Sequence, residues 1–489
     1  MRTLLLERAL YPASAAITPF DAWARAQRAA ARDFLPLADQ ERQRFAALRD
    51  LLAFAGRETR HYAQVLAQVG IDPASIATAE DWARLPTTTK ADLRRDFPDR
   101  QLARSHGGGR LRFSNTSGTT GQPLVLAQDL ADINAKYAST MRSRLVAGVR
   151  PLGSQTRLTP NECQPCDPRD GLGAQAGCRA GSGCAHRFFV LLERRVLNPL
   201  VHRRTMLEPF RFGPSPVDHD GILDRIEASA PDILLIYPLF ALALAKHLLR
   251  SGRRPPRLPG IIDFSGGLCT PGMRRLIGRA FQRRTSQCCG GCEFARYAGS
   301  CPQDPDRMHL AEGHCYVEAV RPDGSLCDDD ELGTLLVTSL HSRAMPVLRL
   351  EAGDVGRITT QACTCGRHSR RLQHEGRIQA LLRNADGRWV SARDVWDALL
   401  TVSGVELFQL WQRSPAEYDL RLLPEPGRAP DLGALDEALA QLLGAGAKVR
   451  QRQVAHIEPE GSGKLQLVKS TSFEDFRVAS ARRDVVPVN

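Results

Sequence analysis

The sequence predicts an α/β fold: a large N-terminal domain of layered α/β subdomains with a β-rich lobe, then a small mobile α+β C-terminal domain. Three observations carry this expectation. The runs DILLIYPLFALALAKHLL (232–249) and GIIDFSGG (260–267) each read as a buried strand feeding a helix, as in a parallel sheet with crossover helices. From Tyr316 to Leu350 the pattern changes to alternating strands, YVEAV, TLLVTSL and PVLRL, with an RPDGS turn after the first. At 489 residues the chain exceeds what a single hydrophobic core organises. The expected domains are residues 1–376 and 377–489, with a Cys-rich insertion from about 160 to 187 in the first.

Taken in order, Phe45, Leu48, Leu51, Leu52 and Phe54, then Tyr62, Val65 and Leu66, recur at helical spacing between Asp21 and Val69. The segment LPTTTKADLRRDF (Leu85–Phe97) reads as a turn in which Thr89 caps a helix. A Gly-rich stretch runs from Gly107 to Pro123. The segment holding Cys163, Cys166, Cys178 and Cys184 is rich in Gly, Pro and Ser and reads as a loop or insertion. Asp218–Ala230 has helical spacing, and beyond Gly376 a compact α+β unit ends near Val486.

Composition excludes several classes. Hydrophobic residues at 43% and charged residues at 25% describe a packed globular chain, not a disordered one. No apolar run reaches the roughly 20 residues a membrane span needs. The start, MRTLLLERAL, is broken by Glu7 and Arg8 and lacks a secretory h-region and cleavage site, so a cytoplasmic protein without membrane attachment is expected. The net charge of +12 raises nucleic acid as a partner. Its arginines are scattered without interleaved aromatics and no nucleic-acid module appears, so anionic small molecules are the favoured explanation. The 13 cysteines, an odd number, argue against a disulfide framework and for reduced thiols or a metal site.

The sharpest motif is Ser114-Asn115-Thr116-Ser117-Gly118-Thr119-Thr120-Gly121-Gln122-Pro123. Glycines and small hydroxyl residues let backbone amides approach a polyphosphate, and the hydroxyls add donors. No Lys follows the last glycine in the GK[ST] arrangement, so this is not a Walker A loop. The apolar Leu124-Val125-Leu126 after it suits a strand–loop–strand hairpin.

This loop resembles the SSGTTGxP loop of the adenylate-forming (acyl/aryl-CoA ligase) superfamily, in its phenylacetate–CoA ligase-like branch. The resemblance extends from about Leu48 to Val468. LPTTTKADLR resembles the branch's LPxxTKxDLR stretch. GIIDFSGGLCTPGMRRLI resembles the strand and turn lining the adenine pocket, which places Gly266 and Gly267 beside the base. CCGGCEF resembles the YGxxE segment, which makes Glu293 the Mg²⁺-linked carboxylate, a hard oxygen ligand suited to a hard cation. AMPVLRLEAGDVG resembles MPxIRYRxGD, which gives Asp354 the ribose hydroxyls; Arg349 is left between a phosphate contact and an acid partner. EGRIQALL resembles the GRxxDxL hinge, matching at Arg377. PEGSGKLQLV resembles the terminal SGK motif, which makes Lys464 the mobile ammonium that stabilises charge during adenylation.

The sequence departs from the family at Cys289, where an aromatic usually stacks near adenine. It departs at Gln379 and Ala380, where the hinge Asp is missing. ADGRWVSARDV also departs from the GxNVFP-type segment that normally helps admit the thiol.

Cys363-x-Cys365 is a tight thiolate pair on a glycine turn, and Cys301 and His309 resemble the branch's EC…GLH stretch. Together they imply a closed structural zinc set. Cys163, Cys166, Cys178 and Cys184, near His186, form a second set left open between a metal and free thiols.

The resemblance implies an ATP- and Mg²⁺-dependent ligase, with structural Zn²⁺, that converts a small, aromatic carboxylic acid to an acyl-adenylate and passes it to a thiol, CoA. The loop residues Ser114, Thr116, Ser117, Gly118, Thr119, Thr120 and Gly121 would bind phosphate. Alternatives are transfer to a separate carrier protein or an amine, and a non-catalytic nucleotide-binding relative. A homodimer is the expected assembly, without nucleic acid.

Overall fold

The computed structural model describes residues 21–106, 111–115, 124–160, 204–210, 212, 217–458 and 465–478. The expectations for Thr116–Gly121, for Lys464, and for Cys163, Cys166, Cys178, Cys184 and His186 lie outside the described residues.

The N-terminal part is helical, as its spacing predicts: α1 (Ala22–Arg32), α2 (Leu37–Glu58), α3 (Arg60–Val69), α4 (Ala79–Ala83) and α5 (Lys90–Asp96). The α2 stripe of Phe45, Leu48, Leu51, Leu52 and Ala55 packs with Tyr62, Trp82, Tyr316 and Leu348. Thr89 caps α5 within a reciprocal capping box: its hydroxyl accepts from Asp92 N while the Asp92 carboxylate accepts from Thr89 N. That cap fixes Lys90 at the first position of the helix.

A short hairpin follows, β1 (Arg112–Asn115) against β2 (Val125–Gln128), and then α6 (Leu130–Val146). The largest sheet contains β3 (Gln155–Leu158), β4 (Arg204–Met206), β5 (Ile233–Ile236), β6 (Ile261–Phe264), β7 (Thr285–Gly291), β8 (Ala295–Ser300), β9 (Met308–Leu310), β10 (Cys315–Val320), β11 (Leu332–Ser339), β12 (Leu350–Thr359) and β13 (Arg371–Arg377). Among the described residues its order is β10-β11-β12-β13-β9-β8-β7-β6-β5-β3-β4. The strands from β4 to β6 are parallel, and β5 and β6 are buried along their whole length, so an uninterrupted apolar run is what they require. Helices α7 (His219–Ser229), α8 (Pro238–Ser251) and α9 (Pro271–Phe281) connect and cover this half. Strand β7 joins the halves: Thr285–Gln287 run parallel to β6, and Cys288–Gly291 run antiparallel to β8.

One strand differs from expectation. PVLRL is not a strand, because Arg349 takes a left-handed φ of 47° and β12 begins only at Leu350. The Arg349 side chain is buried against Glu318, with Nη2 3.1 Å from Oε1, and it also donates to the carbonyls of Ala83 and Leu85. Of the two roles left open for Arg349, the structure shows the acid partner.

The chain leaves the large sheet at Arg377 and builds the hairpin β14 (Leu382–Arg383) and β15 (Trp389–Val390), helices α10 (Ala392–Leu399) and α11 (Leu432–Leu443), and a sheet of β16 (Val405–Ser414), β17 (Glu417–Pro424), β18 (Lys448–Gln453) and β19 (Val468–Lys469). The order of this sheet is β18-β17-β16-β19. Its apolar face, with Phe408, Leu410, Leu420 and Leu422, shares one core with α8 and α9. Polar anchors reinforce the junction. Asp397 Oδ1 accepts from Thr270 Oγ1 (2.5 Å) and Gly272 N (3.0 Å), and Lys246 Nζ donates to Val405 O (2.6 Å).

Candidate active site

The Ser/Thr/Gly-rich motif is flanked by a hairpin, as its sequence predicts. Asn115 pairs with Val125 and Ser114 with Leu126, so the ends of the loop are held together by an antiparallel hairpin. Leu124, Leu126 and Phe113 share a hydrophobic cluster with Cys289, Phe294 and Tyr297, which seats the hairpin beside the β7–β8 turn. Ser114 Oγ is buried with no hydrogen-bond partner, an orphaned polar atom at the root of the loop.

The β7–β8 turn carries Glu293, which is 6% exposed. Lys90 Nζ lies 2.7 Å from its Oε1. Burial opposes ionisation of Glu293, yet the Lys90 ammonium, with Arg377 beyond it, holds the carboxyl below its usual range. Asp354 on β12 faces Arg377 on β13, with Arg377 Nη1 3.1 Å from Asp354 Oδ1. His374 Nε2 lies 3.3 Å from the same oxygen. Burial again opposes charge, and Arg377 and His374 hold Asp354 well below the usual carboxylate range. For His374 burial disfavours the cation, but Cys289 and Asp354 beside it raise its proton affinity well above the ordinary value. The field of Arg377 reaches Glu293, and that of Lys90 reaches Asp354, so one charged cluster joins segments about 260 residues apart in sequence.

The Gly266-Gly267 turn ends β6 over the ring of Tyr237. Gly266 has φ +85°, and a Cβ on Gly267 would come within 2.4 Å of Tyr237 Cε2. Tyr237 and Phe240 are buried, with their ring centroids 5.3 Å apart. Three predicted residues, Glu293, Asp354 and Arg377, are thus brought together. Lys90 and His374 were missed, although Lys90 had a signal: it is one of only six lysines among 66 basic residues and sits at a capped helix start.

The four expected metal ligands also converge. Sγ of Cys301, Cys363 and Cys365 and a ring nitrogen of His309 all lie within 4.8 Å of one another. Cys301 Sγ and Cys363 Sγ are 3.7 Å apart, and His309 Nε2 is 3.3 Å from Cys365 Sγ. Tetrahedral zinc with bonds of about 2.3 Å to sulfur would put two thiolates about 3.8 Å apart, so the donor set fits. His309 Nδ1 lies 3.0 Å from Ser369 Oγ, which orients the ring. Burial, aided by nearby Arg142 and Arg367, pushes His309 down to about 3, leaving it neutral as a ligand must be. The set ties the end of β8 and strand β9 to the β12–β13 turn. Cys269, Cys288, Cys289, Cys315 and Cys327 are also free thiols, while Cys292 departs from the expectation of reduced cysteines by being disulfide-bonded.

Compared with known proteins, the chain has the fold of the adenylate-forming CoA ligases. A 2-hydroxyisobutyryl-CoA ligase, solved in the postadenylation state with an acyl-AMP, superimposes with a TM-score of 0.67 over 89% of this chain and 90% of that one, at 20% identity. An anthranilate CoA ligase with anthranoyl-AMP gives a TM-score of 0.50 over 74% of this chain and 65% of that one, at 16% identity. In sequence the chain is similar to curated phenylacetate-coenzyme A ligases. It is 26% identical over 318 residues to that of Thermus thermophilus and 28% identical over 301 residues to that of Pseudomonas putida. The matches cover 63% and 61% of this chain and 63% and 62% of those relatives, so the chain spans just under two thirds of their length. No family model matches. The resemblance read from the motifs therefore stands, in sequence and in fold.

Proposed function

We propose that the chain activates a small aromatic carboxylic acid with ATP and transfers the acyl group to the thiol of CoA. The acid's oxygen attacks the α-phosphorus, forming the mixed anhydride and expelling pyrophosphate. The thiolate then attacks the acyl carbon, and AMP departs. In this reading, backbone amides from Ser114 to Pro123 grip the phosphates, Gly266 and Gly267 face adenine, and Asp354 accepts from the ribose hydroxyls while Arg377 fixes its carboxylate. Lys464 enters to stabilise charge on the α-phosphate, delivered by a mobile 377–489 unit. Glu293, a buried carboxylate kept ionised by Lys90 at 2.7 Å, would hold Mg²⁺, which when bound would spread the charge of the phosphates. Zn²⁺ at Cys301, His309, Cys363 and Cys365 is structural.

The observation that carries the reading is the convergence of Lys90, Glu293, Asp354 and Arg377 beside the β1–β2 hairpin, in a fold shared with CoA ligases. Hydroxylamine trapping tests it. Incubation with ATP, Mg²⁺ and aryl acids is expected to release an acyl-hydroxamate. The absence of hydroxamate with every acid would favour the non-catalytic alternative.

A further inference from the structure

The strands β6 and β7 have two ends of different character. At one end β6 runs into the Gly266-Gly267 turn and β7 turns into β8 beside Glu293. At the other end β6 begins at Ile261, β7 begins at Thr285 and β8 finishes at Ser300. These three residues and helix α9 line a cavity of about 250 Å³. Five arginines bound it: Arg274, Arg275 and Arg279 from α9, and Arg283 and Arg284 from the connection to β7. No acidic residue lines it.

Two of the five guanidinium groups are held in place. Arg274 Nη2 lies 2.7 Å from Asp306 Oδ1, and Arg283 donates from Nε to Leu258 O (2.5 Å) and from Nη1 to Gln282 O (2.9 Å). Arg274 Nε is buried with no hydrogen-bond partner. Among the described residues Arg275, Arg279 and Arg284 pair with no carboxylate, and Arg275 and Arg279 repel each other across one helical turn. A helix C-terminus favours a cation in its last turn, which accounts for Arg279 and not for Arg275, Arg283 or Arg284.

Like charges around one hollow repel, and an anion seated among them removes that repulsion. Guanidinium forks match phosphate oxygens two at a time, and a multiply charged phosphate answers several forks at once. The volume falls below the roughly 300–1,000 Å³ of pockets that hold drug-sized molecules, so a compact occupant fits. No aromatic residue lines the cavity, which removes the stacking platform a nucleobase uses. We propose that this cavity is a second anion site, at the opposite end of the strands from the adenylate centre, and that it takes an inorganic di- or triphosphate. The proposal does not depend on which acid or acceptor the chain uses.

The test is calorimetric titration of the full-length chain with inorganic pyrophosphate, without nucleotide. Saturable binding is expected, weakened roughly tenfold in the double variant Arg279→Gln/Arg284→Gln and about threefold in Arg275→Gln. These side chains are exposed, so the variants keep the fold. Pyrophosphate seated only at the adenylate centre would bind wild type and variants alike, and that result overturns the proposal, as does no saturable binding by the wild type. Sulfate is expected to bind at least about tenfold more weakly; equal affinity for sulfate overturns the choice of a polyphosphate. Tighter binding of a single-stranded oligonucleotide, lost in the same variants and steeply dependent on salt, overturns it in favour of nucleic acid. The double variant is expected to keep wild-type ATP–pyrophosphate exchange, because neither arginine belongs to the adenylate centre. The titration needs no turnover, so its failure is separate from failure of the ligase reading.

Discussion

Replacing Lys90 by Met probes how the buried carboxylate of the site is kept charged. The ammonium lies 2.7 Å from Glu293 Oε1. At an effective dielectric of about 20 that separation corresponds to roughly 6 kcal/mol of attraction. Most of this is offset, since burial is the largest influence on Glu293 and works against the charged form. The Lys90 side chain is 33% exposed, so water screens it further. A net loss of about 1–2 kcal/mol remains, which raises the proton affinity of the Glu293 carboxyl; about 1.4 kcal/mol corresponds to one pH unit. In wild type the carboxyl sits below its usual range, so it stays ionised as pH falls; in the variant it protonates earlier. The acid limb of the pH–rate profile for hydroxamate formation is therefore expected to shift upward by about one pH unit, and Lys90→Arg to restore most of it. Superimposable profiles for wild type and Lys90→Met would refute the assignment of Lys90 as the partner that positions and charges Glu293.

Other outcomes follow from the same geometry. Purified protein is expected to hold one equivalent of zinc, and Cys363→Ser to lose it together with several degrees of Tm; metal-free wild type of unchanged Tm would contradict the site. Gly267→Ala drives a methyl into Tyr237, where a Cβ would sit 2.4 Å from Cε2, and is expected to raise KM for ATP or lower Tm measurably. Glu312, buried between Arg44 and Arg370, is held by those guanidinium groups at about 2 against an ordinary 4.5, although burial alone would raise it. Its stabilisation, on the order of 3 kcal/mol, is complete above pH 4.5 and is lost as pH falls toward 2. Urea unfolding of Glu312→Gln should then depend less on pH across that interval than wild type does.

Much of the fold is legible because its signals are local. DILLI and IIDF are apolar at every position, and both become buried parallel strands with the expected helices after them. Thr89 and Asp92 stand three residues apart and close a capping box, so the start of α5 can be read from four letters. The thiolate pair Cys363 and Cys365 was legible for the same reason. What escaped is set by contacts across the chain. Arg349 could not be assigned because its partner, Glu318, lies on β10, across β11 from the start of β12, and the left-handed φ of Arg349 delays β12 to Leu350. Lys90 and His374 belong to the charged cluster only because α5, β12 and β13 meet at the β7–β8 turn. The joining of α10 to α9 through Asp397 and Thr270 is likewise invisible in either segment alone.

The central claim is that this chain forms an acyl-adenylate, and ATP–pyrophosphate exchange measures that step directly. Across a panel of aryl carboxylic acids including phenylacetate, exchange is expected with at least one acid and is expected to collapse in Lys464→Ala. Silence with every acid, or full exchange in the Lys464 variant, would contradict the account.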